Sequence, residues 1–403
     1  MSGEDVTDRI LRYNAGRDPE RLARKFAAMR ATPFTFFRAT AHLFYEARDL
    51  LDPVADAPAV WSSGDVHLEN FGCYKGDNGL AYFDLNDFDE AGLAPLTWDL
   101  VRLVASALIG AGPGRLSPAD RTDIARTMLT YYREHLREGK ARWIERATAE
   151  GPVRQLLRQA KRRTRRALLS DRTQRAGRAR VFRLEPGRHH PAPATEHRGV
   201  KALLKRVGRE HGDPVFYKAR DVVRRVAGMA SLGTPRFAVL VEGRGSPNNN
   251  YLLDLKEAIP STLAAASPVK QPHWASEADR VVTVQNWVQA VSPALLTPVR
   301  WGRHSLVLRE LQPTADRLRA AQWRLRGEEL DHLIRAVTGV TAWGHLRAAG
   351  RRGADGIDQL IAFGESRRWR YPVLAAARAM ARRTLEEWNA FRASDSAPAQ
   401  LGQ

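Results

Sequence analysis

Residues 60–91, VWSSGDVHLENFGCYKGDNGLAYFDLNDFDEA, place the tightest constraint on how this chain folds, because they set seven carboxylates and three asparagines around two short apolar runs. Gly64 lets the backbone turn so that Asp65, His67 and Asn70 point into one space. Residues 71–74 and 80–83 read as strands. Between them, Lys75-Gly76-Asp77-Asn78-Gly79 contains the Asn-Gly pair that most strongly marks a hairpin. The second strand then returns Asp84, Asn86, Asp87 and Asp89 beside Asp65 and Asn70. Carboxylates held that close repel unless a cation lies between them, and a hard divalent cation with oxygen ligands, most simply Mg²⁺, is the natural counter-ion.

An Asp, an Asn five residues on, a hairpin and a further Asp is the layout of a phosphoryl-transfer site. In such a site the first Asp takes the substrate hydroxyl proton, and the Asn and second Asp hold Mg²⁺. The segment GDVHLEN resembles the HGDxxxxN motif of aminoglycoside and choline kinases, with Ser63 in place of the leading His. PLTWDL at 95–100 resembles the helix start that follows the metal site in those kinases, where Asp99 has a structural role. A lone DxxxxN pair is a weak signal, and a Gly-Asp loop that only caps a helix is the plain alternative; the hairpin and the acidic cluster strengthen the reading. The Asp65/His67 pair also matches part of a dinuclear metallophosphoesterase ligand set, but the sequence lacks the later Gly-Asn-His ligands of that fold. His67 is therefore read as a structural neighbour, and His189-His190 as loop.

At 403 residues with 43% hydrophobic composition, the chain can bury a full core and form two lobes. No apolar run approaches the roughly 18 residues of a membrane span, and MSGEDVTDRI has no signal-peptide core. The single Cys73 excludes an intrachain disulfide framework and fits a reducing cytoplasm, the expected location. The net charge of +19 invites a nucleic-acid reading, yet only nine of the 64 basic residues are Lys. The excess concentrates at 154–183, where Asp171 is the one acid. That stretch is either a solvated helix and linker or a cationic surface for an anionic partner. It lacks interleaved aromatics for base stacking before Phe182.

Along the chain, residues 1–30 and then PFTFFRATAHLFYEARDLL read as helices, and Arg38 in the second is a candidate to reach the acidic cluster, with a structural ion pair as the plainer role. Residues 98–110 and 120–145 continue the helical pattern. From about residue 220 the pattern alternates with period two, and VVRRVAG, PRFAVLVEG and NNYLLDLKEA read as three consecutive strands. The first turn, Gly228-Met229-Ala230-Ser231-Leu232-Gly233, is a glycine loop whose backbone N–H groups suit phosphate oxygens, with Gly228, Ser231 and Gly233 as its key positions. Lys256 ends the third strand, where a kinase places the Lys that pairs with phosphates and with a helix Glu. Glu277 is the best-placed acid and Glu257 the other candidate. Residues 304–311 form a further strand leading to an adenine-binding hinge, and His345 in a later helix reads as a packed core histidine.

PFTFFRA, GDVHLENFG, FDLNDFDE, TWDLVRL, VAGMASLGTPRFAVLVEG and LLDLKEA together resemble the bacterial domain-of-unknown-function family 2252 (DUF2252), over nearly the whole chain. Departures are His345-Leu346-Arg347 and Met229-Ala230, where the family more often shows other residues. With the kinase-like motifs, the resemblance implies an α+β, protein-kinase-like two-lobed fold that is circularly permuted. The expected organisation is 1–150 as the helical catalytic-loop and metal-site part of a C-lobe, 151–205 as a basic linker, and 206–312 as a β-rich nucleotide-binding lobe. Residues 313–393 complete the C-lobe, and 394–403 form a disordered tail. The expected activity is ATP- and Mg²⁺-dependent transfer of a phosphoryl group to a small hydroxylated molecule. Asp65 is the base, Asn70 and Asp84 are metal ligands, Asp87 or Asp89 is an auxiliary ligand, and Lys256 is the phosphate clamp. The alternatives are a nucleotide-binding regulator without catalysis and an Arg-rich nucleic-acid-binding protein; none of the three involves a membrane.

Overall fold

The computed structural model describes residues 4–110, 117–177, 179–228, 232–313, 316–319 and 325–394, so the tail expected beyond 394 lies outside the described residues. The fold is α+β.

The hairpin forms where expected, Phe71–Lys75 against Ala81–Leu85, with Phe71 opposite Leu85 and Tyr74 opposite Tyr82. Gly79 closes the turn with a left-handed φ of 78° and donates to the Gly76 carbonyl (2.9 Å). Flanking it, Ala59–Ser62 pairs antiparallel with Gly92–Pro95, Ser62 opposite Gly92, so the two ends of the acidic stretch are tied together. The stretch is thus one closed structural unit.

Leu96–Gly110 follows directly and is buried on nearly every side, as a helix apolar all round must be. Helix Pro118–Glu138 packs against it, begun by Ser117, whose Oγ accepts from Asp120 N–H (3.0 Å), and ended by Gly139 at φ 61°. Gly327–Ala348 and Arg370–Ala393 complete the helical body. One hydrophobic core runs through it, from Trp61, Phe71 and Phe83 on the strands to Trp98, Tyr132, Val340 and Met380 on the helices. Helix Glu277–Val288 adds Ala278, Val281, Val284 and Val288 to that same core, although in sequence it falls between strands of the sheet.

The second layer is a six-stranded antiparallel sheet in the order Thr297–Trp301, His304–Glu310, Tyr251–Glu257, Arg236–Val241, Ala219–Arg225, His189–Pro191. The three consecutive strands and the fourth at 304–310 are those the period-two pattern predicts. The His189-His190 segment is the exception. It is a short edge strand bonded to Ala219–Arg225, not a loop, and its Pro191 sits at the strand end where a missing N–H is tolerated. One sheet face, with Val222, Phe237, Val239, Leu253 and Leu255, packs on helix Ala194–Glu210. On the other face Val223, Ala238, Leu240 and Leu252 are covered by Leu169 and Phe182, and the same face carries Arg225, Arg236, Asp254, Lys256 and Arg309.

The basic stretch supplies that cover. It folds as helices Gly151–Arg162 and Arg165–Arg172 followed by a small hairpin, Thr173–Ala176 with Ala179–Phe182. Several of its arginines are engaged: Arg163 pairs with Asp316, Arg172 with Asp171 (2.8 Å), and Arg165 lies over the Tyr251 ring at 3.7 Å.

Candidate active site

Asp65 sits on the turn after the strand Ala59–Ser62, and a buried chain of hydrogen bonds shapes that turn. Ser62 Oγ accepts from Gly64 N–H (2.8 Å) and donates to Asp99, whose other oxygen receives His345 Nε2–H (3.1 Å). His345 Nδ1 in turn accepts from the Tyr132 hydroxyl (2.7 Å), which fixes the imidazole tautomer. Asp99 and His345 therefore serve the loop from within the core, as their sequence settings suggest. Gly64 has φ 92°, and a Cβ there would lie 2.3 Å from the Glu90 carbonyl oxygen. Gly64→Ala is expected to lose at least about 2 kcal/mol of stability in urea denaturation, from the left-handed backbone and the clash together.

The Asp65 carboxylate is gripped on one oxygen. Arg102, fully buried between the Phe37 and Phe44 rings, directs both Nε (2.6 Å) and Nη2 to Oδ1. Oδ2 is left facing His67 Nε2 at 3.6 Å. His67 Nδ1 accepts from Glu69 N–H (3.1 Å), and Arg38 Nε–H points to its Nε2 (3.4 Å). Burial, reinforced by Arg38 and Arg102, holds this imidazole neutral by pushing its pKa well down. Burial also raises the Asp65 pKa, against the opposing pull of Arg102. Arg38 pairs with Glu69 rather than with the acids of the hairpin. Asn70 donates through Nδ2 to the Asp65 carbonyl and accepts Asn86 N–H on its own carbonyl (2.8 Å), joining the loop to the end of the hairpin.

Beyond the hairpin, Asp87 and Asp89 turn toward the sheet. Lys256 Nζ forms an ion pair with Asp89 and lies 3.6 Å from Asp87 Oδ1. Burial would raise the Asp87 pKa, but Lys256, Arg317, Arg309 and Arg236 overrule it and hold the carboxyl below its usual range. Asp87 is also an electrostatic neighbour of Asp65. The loop is pinned by Arg280, which donates to the carbonyls of Ala91 (2.6 Å), Asp89 (2.9 Å) and Ile259 (2.9 Å). Glu90, with its pKa raised by burial, accepts from Thr262 N–H (2.6 Å) and Oγ1–H (2.8 Å).

The charged part of the inner sheet face stands opposite. Asp254 is flanked by Arg225 (2.7 Å), Arg236 (Nε 2.9 Å) and Arg309 (3.8 Å). Antiparallel register explains the grouping, since Arg236 pairs with Lys256 and Asp254 with both Ala238 and Arg309, which puts these side chains on one face. Arg317 is brought in by a β-bridge to Gly72, and Leu318 N–H donates to the Phe71 carbonyl (2.8 Å). A Cβ on Gly72 would lie 2.8 Å from the Arg317 Cα, so only glycine permits this approach.

Five of the expected site residues thus converge: Asp65, Asn70, Asp87, Asp89 and Lys256. Two do not. The Asp84 carboxylate is turned to the helical side, where it accepts from Leu85 N–H (2.8 Å), Ala290 N–H (3.2 Å) and Arg347 (3.3 Å). The physical reason is strand geometry: Asp84 is still inside Ala81–Leu85, opposite Gly72, and the chain leaves the ladder only after Leu85. Glu277 pairs with Arg280 (2.7 Å), and Glu257 with His304 (2.6 Å), so neither expected acid is the partner of Lys256. Gly228 (φ 83°) and Gly233 (φ 96°) have the left-handed backbone a glycine loop uses, while Ser231 lies outside the described residues. The Gly233 carbonyl accepts Asp18 N–H (3.2 Å), docking that end of the loop on the first helices.

Sequence reasoning missed Arg102 and the arginines of the sheet. A signal was present: each is a charge inside an otherwise apolar run, in TWDLVRL, PRFAVLV and HSLVLREL. Among the described residues no group of three or more His, Cys, Asp or Glu side chains is arranged to hold a metal ion.

Residues 17–394 match the family described as "Uncharacterized protein conserved in bacteria (DUF2252)", and the chain belongs to that family. No curated protein and no solved structure matches it.

Proposed function

We propose that this member of the DUF2252 family is an ATP- and Mg²⁺-dependent phosphotransferase with a permuted, protein-kinase-like arrangement, acting on a small hydroxylated acceptor. The observation that carries the reading is the meeting of Lys256, from the sheet, with Asp87 and Asp89, from the loop after the Asp65 hairpin. A lysine and an acidic pair separated by this much sequence, facing each other beside an aspartate held by a buried arginine, suit a phosphate chain and its counter-ion.

Asp65 is the base. Its Oδ1 is fixed by Arg102, which leaves Oδ2 to accept the proton of the acceptor hydroxyl as that oxygen attacks the terminal phosphorus and the bond to the leaving phosphate breaks. Mg²⁺ needs few protein ligands beside phosphate and water, and Asp87, held ionised, and Asp89 beside it would hold the ion, with Asn70 as a further candidate. Asp87 takes the role that the sequence reading gave to Asp84. When bound, Mg²⁺ would neutralise charge on the phosphoryl oxygens. Lys256 holds the donor phosphates once they draw it from Asp89.

Calorimetric titration with ATP, with and without Mg²⁺, tests this. Lys256→Ala is expected to weaken ATP binding by at least about tenfold, the loss of one charge-assisted contact. Asp65→Asn should keep ATP affinity while lowering turnover by about 10²–10⁴-fold across a panel of hydroxylated acceptors. No ATP affinity in the wild type, or equal affinity in Lys256→Ala, would overturn the proposal.

A further inference from the structure

Three arginines of the inner sheet face, Arg225, Arg236 and Arg309, surround one carboxylate, Asp254, and a fourth, Arg317, lies within electrostatic range of Arg236 and Arg309. Arg225 and Arg236 are paired with Asp254, at 2.7 and 2.9 Å, and are buried. Arg309 reaches it only at 3.8 Å. The Arg317 guanidinium makes no hydrogen bond or ion pair with any described residue, although Asp87, Arg309, Arg236 and Arg38 are all within electrostatic range. A guanidinium held among like charges in a partly dehydrated cleft is costly unless an anion joins it.

The position of Arg317 is built rather than incidental. Its backbone bridges Gly72, the next residue bonds to Phe71, and the preceding Asp316 is tied to Arg163. The backbone that carries the guanidinium is thus anchored on both sides, within electrostatic range of Asp87.

We propose that Arg309 and Arg317 form an anion subsite for a di- or triphosphate chain, with Arg225, Arg236 and Asp254 as its rigid backing. This rests on the phosphotransferase reading for its place in the reaction, but it concerns which residues bind the phosphates. Arginine rather than lysine is the side chain whose planar fork matches phosphate oxygens in pairs.

Inorganic triphosphate, without Mg²⁺ and without a nucleobase, is the probe. Calorimetry should show binding to the wild-type chain that weakens with added salt. The affinity should drop about 10–100-fold in Arg317→Ala and in Arg309→Ala, and less in Arg317→Lys, which keeps the charge but not the fork. Thermal melting of each variant identifies any that fail to fold, and Arg317→Lys then carries the test. Triphosphate binding that is absent in the wild type, or unchanged in both folded Arg317 variants, overturns the subsite. Arg317-dependent triphosphate binding without any ATP turnover supports the subsite and counts only against the phosphotransferase reading. ATP turnover lost in Lys256→Ala but untouched in Arg317→Ala overturns the subsite alone.

Discussion

Arg102→Leu is expected to destabilise the protein by about 3–5 kcal/mol at pH 7, because it leaves the Asp65 carboxylate buried without its partner. Arg102 is fully buried and makes two of its bonds to one Asp65 oxygen and a third, at 3.1 Å, to the Phe37 carbonyl. The loss should depend on pH in a defined sense. Burial already raises the Asp65 pKa above its ordinary value of about 3.9, and removing Arg102 removes the main opposing interaction. A carboxyl whose folded pKa is raised binds its proton more tightly when folded. Stability therefore increases as pH falls from the raised folded value toward the unfolded one. Urea denaturation at pH 7 and pH 5 should show a smaller deficit at pH 5. The double variant Arg102→Leu/Asp65→Asn should recover part of the loss at pH 7. An equal deficit at both pH values would mean that the lost interaction is packing against Phe37 and Phe44 rather than the ion pair.

Asp254→Asn should be comparably damaging, again about 3–5 kcal/mol, since it strips the shared counter-charge from Arg225, Arg236 and Arg309. Here the sign of the pH dependence reverses. Burial would raise the Asp254 pKa, yet the surrounding arginines hold it well below the carboxylate range. A depressed folded pKa contributes stability that is fully present above the unfolded value of about 3.9 and is lost only as pH falls through the folded one. The difference between wild type and Asp254→Asn, followed by thermal melting, should stay flat from pH 8 to 5. A difference that already shrinks at pH 5–6 would show that Asp254 is not held ionised by these arginines.

The hairpin and four of the five sheet strands at 219–310 were readable because their signals are local. Asn78-Gly79 specifies a turn, and alternating apolar residues specify one buried face per strand. Asp84 and Asp87 show where that locality ends. They lie three residues apart at the end of the hairpin, and the sequence does not say at which residue the chain leaves the ladder. It leaves after Leu85, so Asp84 turns to Arg347 and Asp87 to Lys256. The partner of Lys256 was misread for a related reason. Glu277 lies at the start of the expected helix, but that helix uses Arg280 to pin the acidic loop, and Glu277 is its i, i+3 neighbour. His189-His190 joined the sheet because an edge strand needs only a few backbone bonds, which short polar sequence does not announce.

The sequence by itself determined that residues 60–91 form one turn-and-hairpin unit rich in carboxylates, since turn chemistry and alternation act within a few residues. It also determined the strands that carry Lys256. Only the tertiary structure decided which carboxylates share a space with that lysine, and that Arg102, Arg309 and Arg317 stand beside them. Those choices depend on strand register, on the missing side chain at Gly72 and on contacts between residues far apart in the chain, and charges that attract or repel through space leave no spacing rule in the sequence.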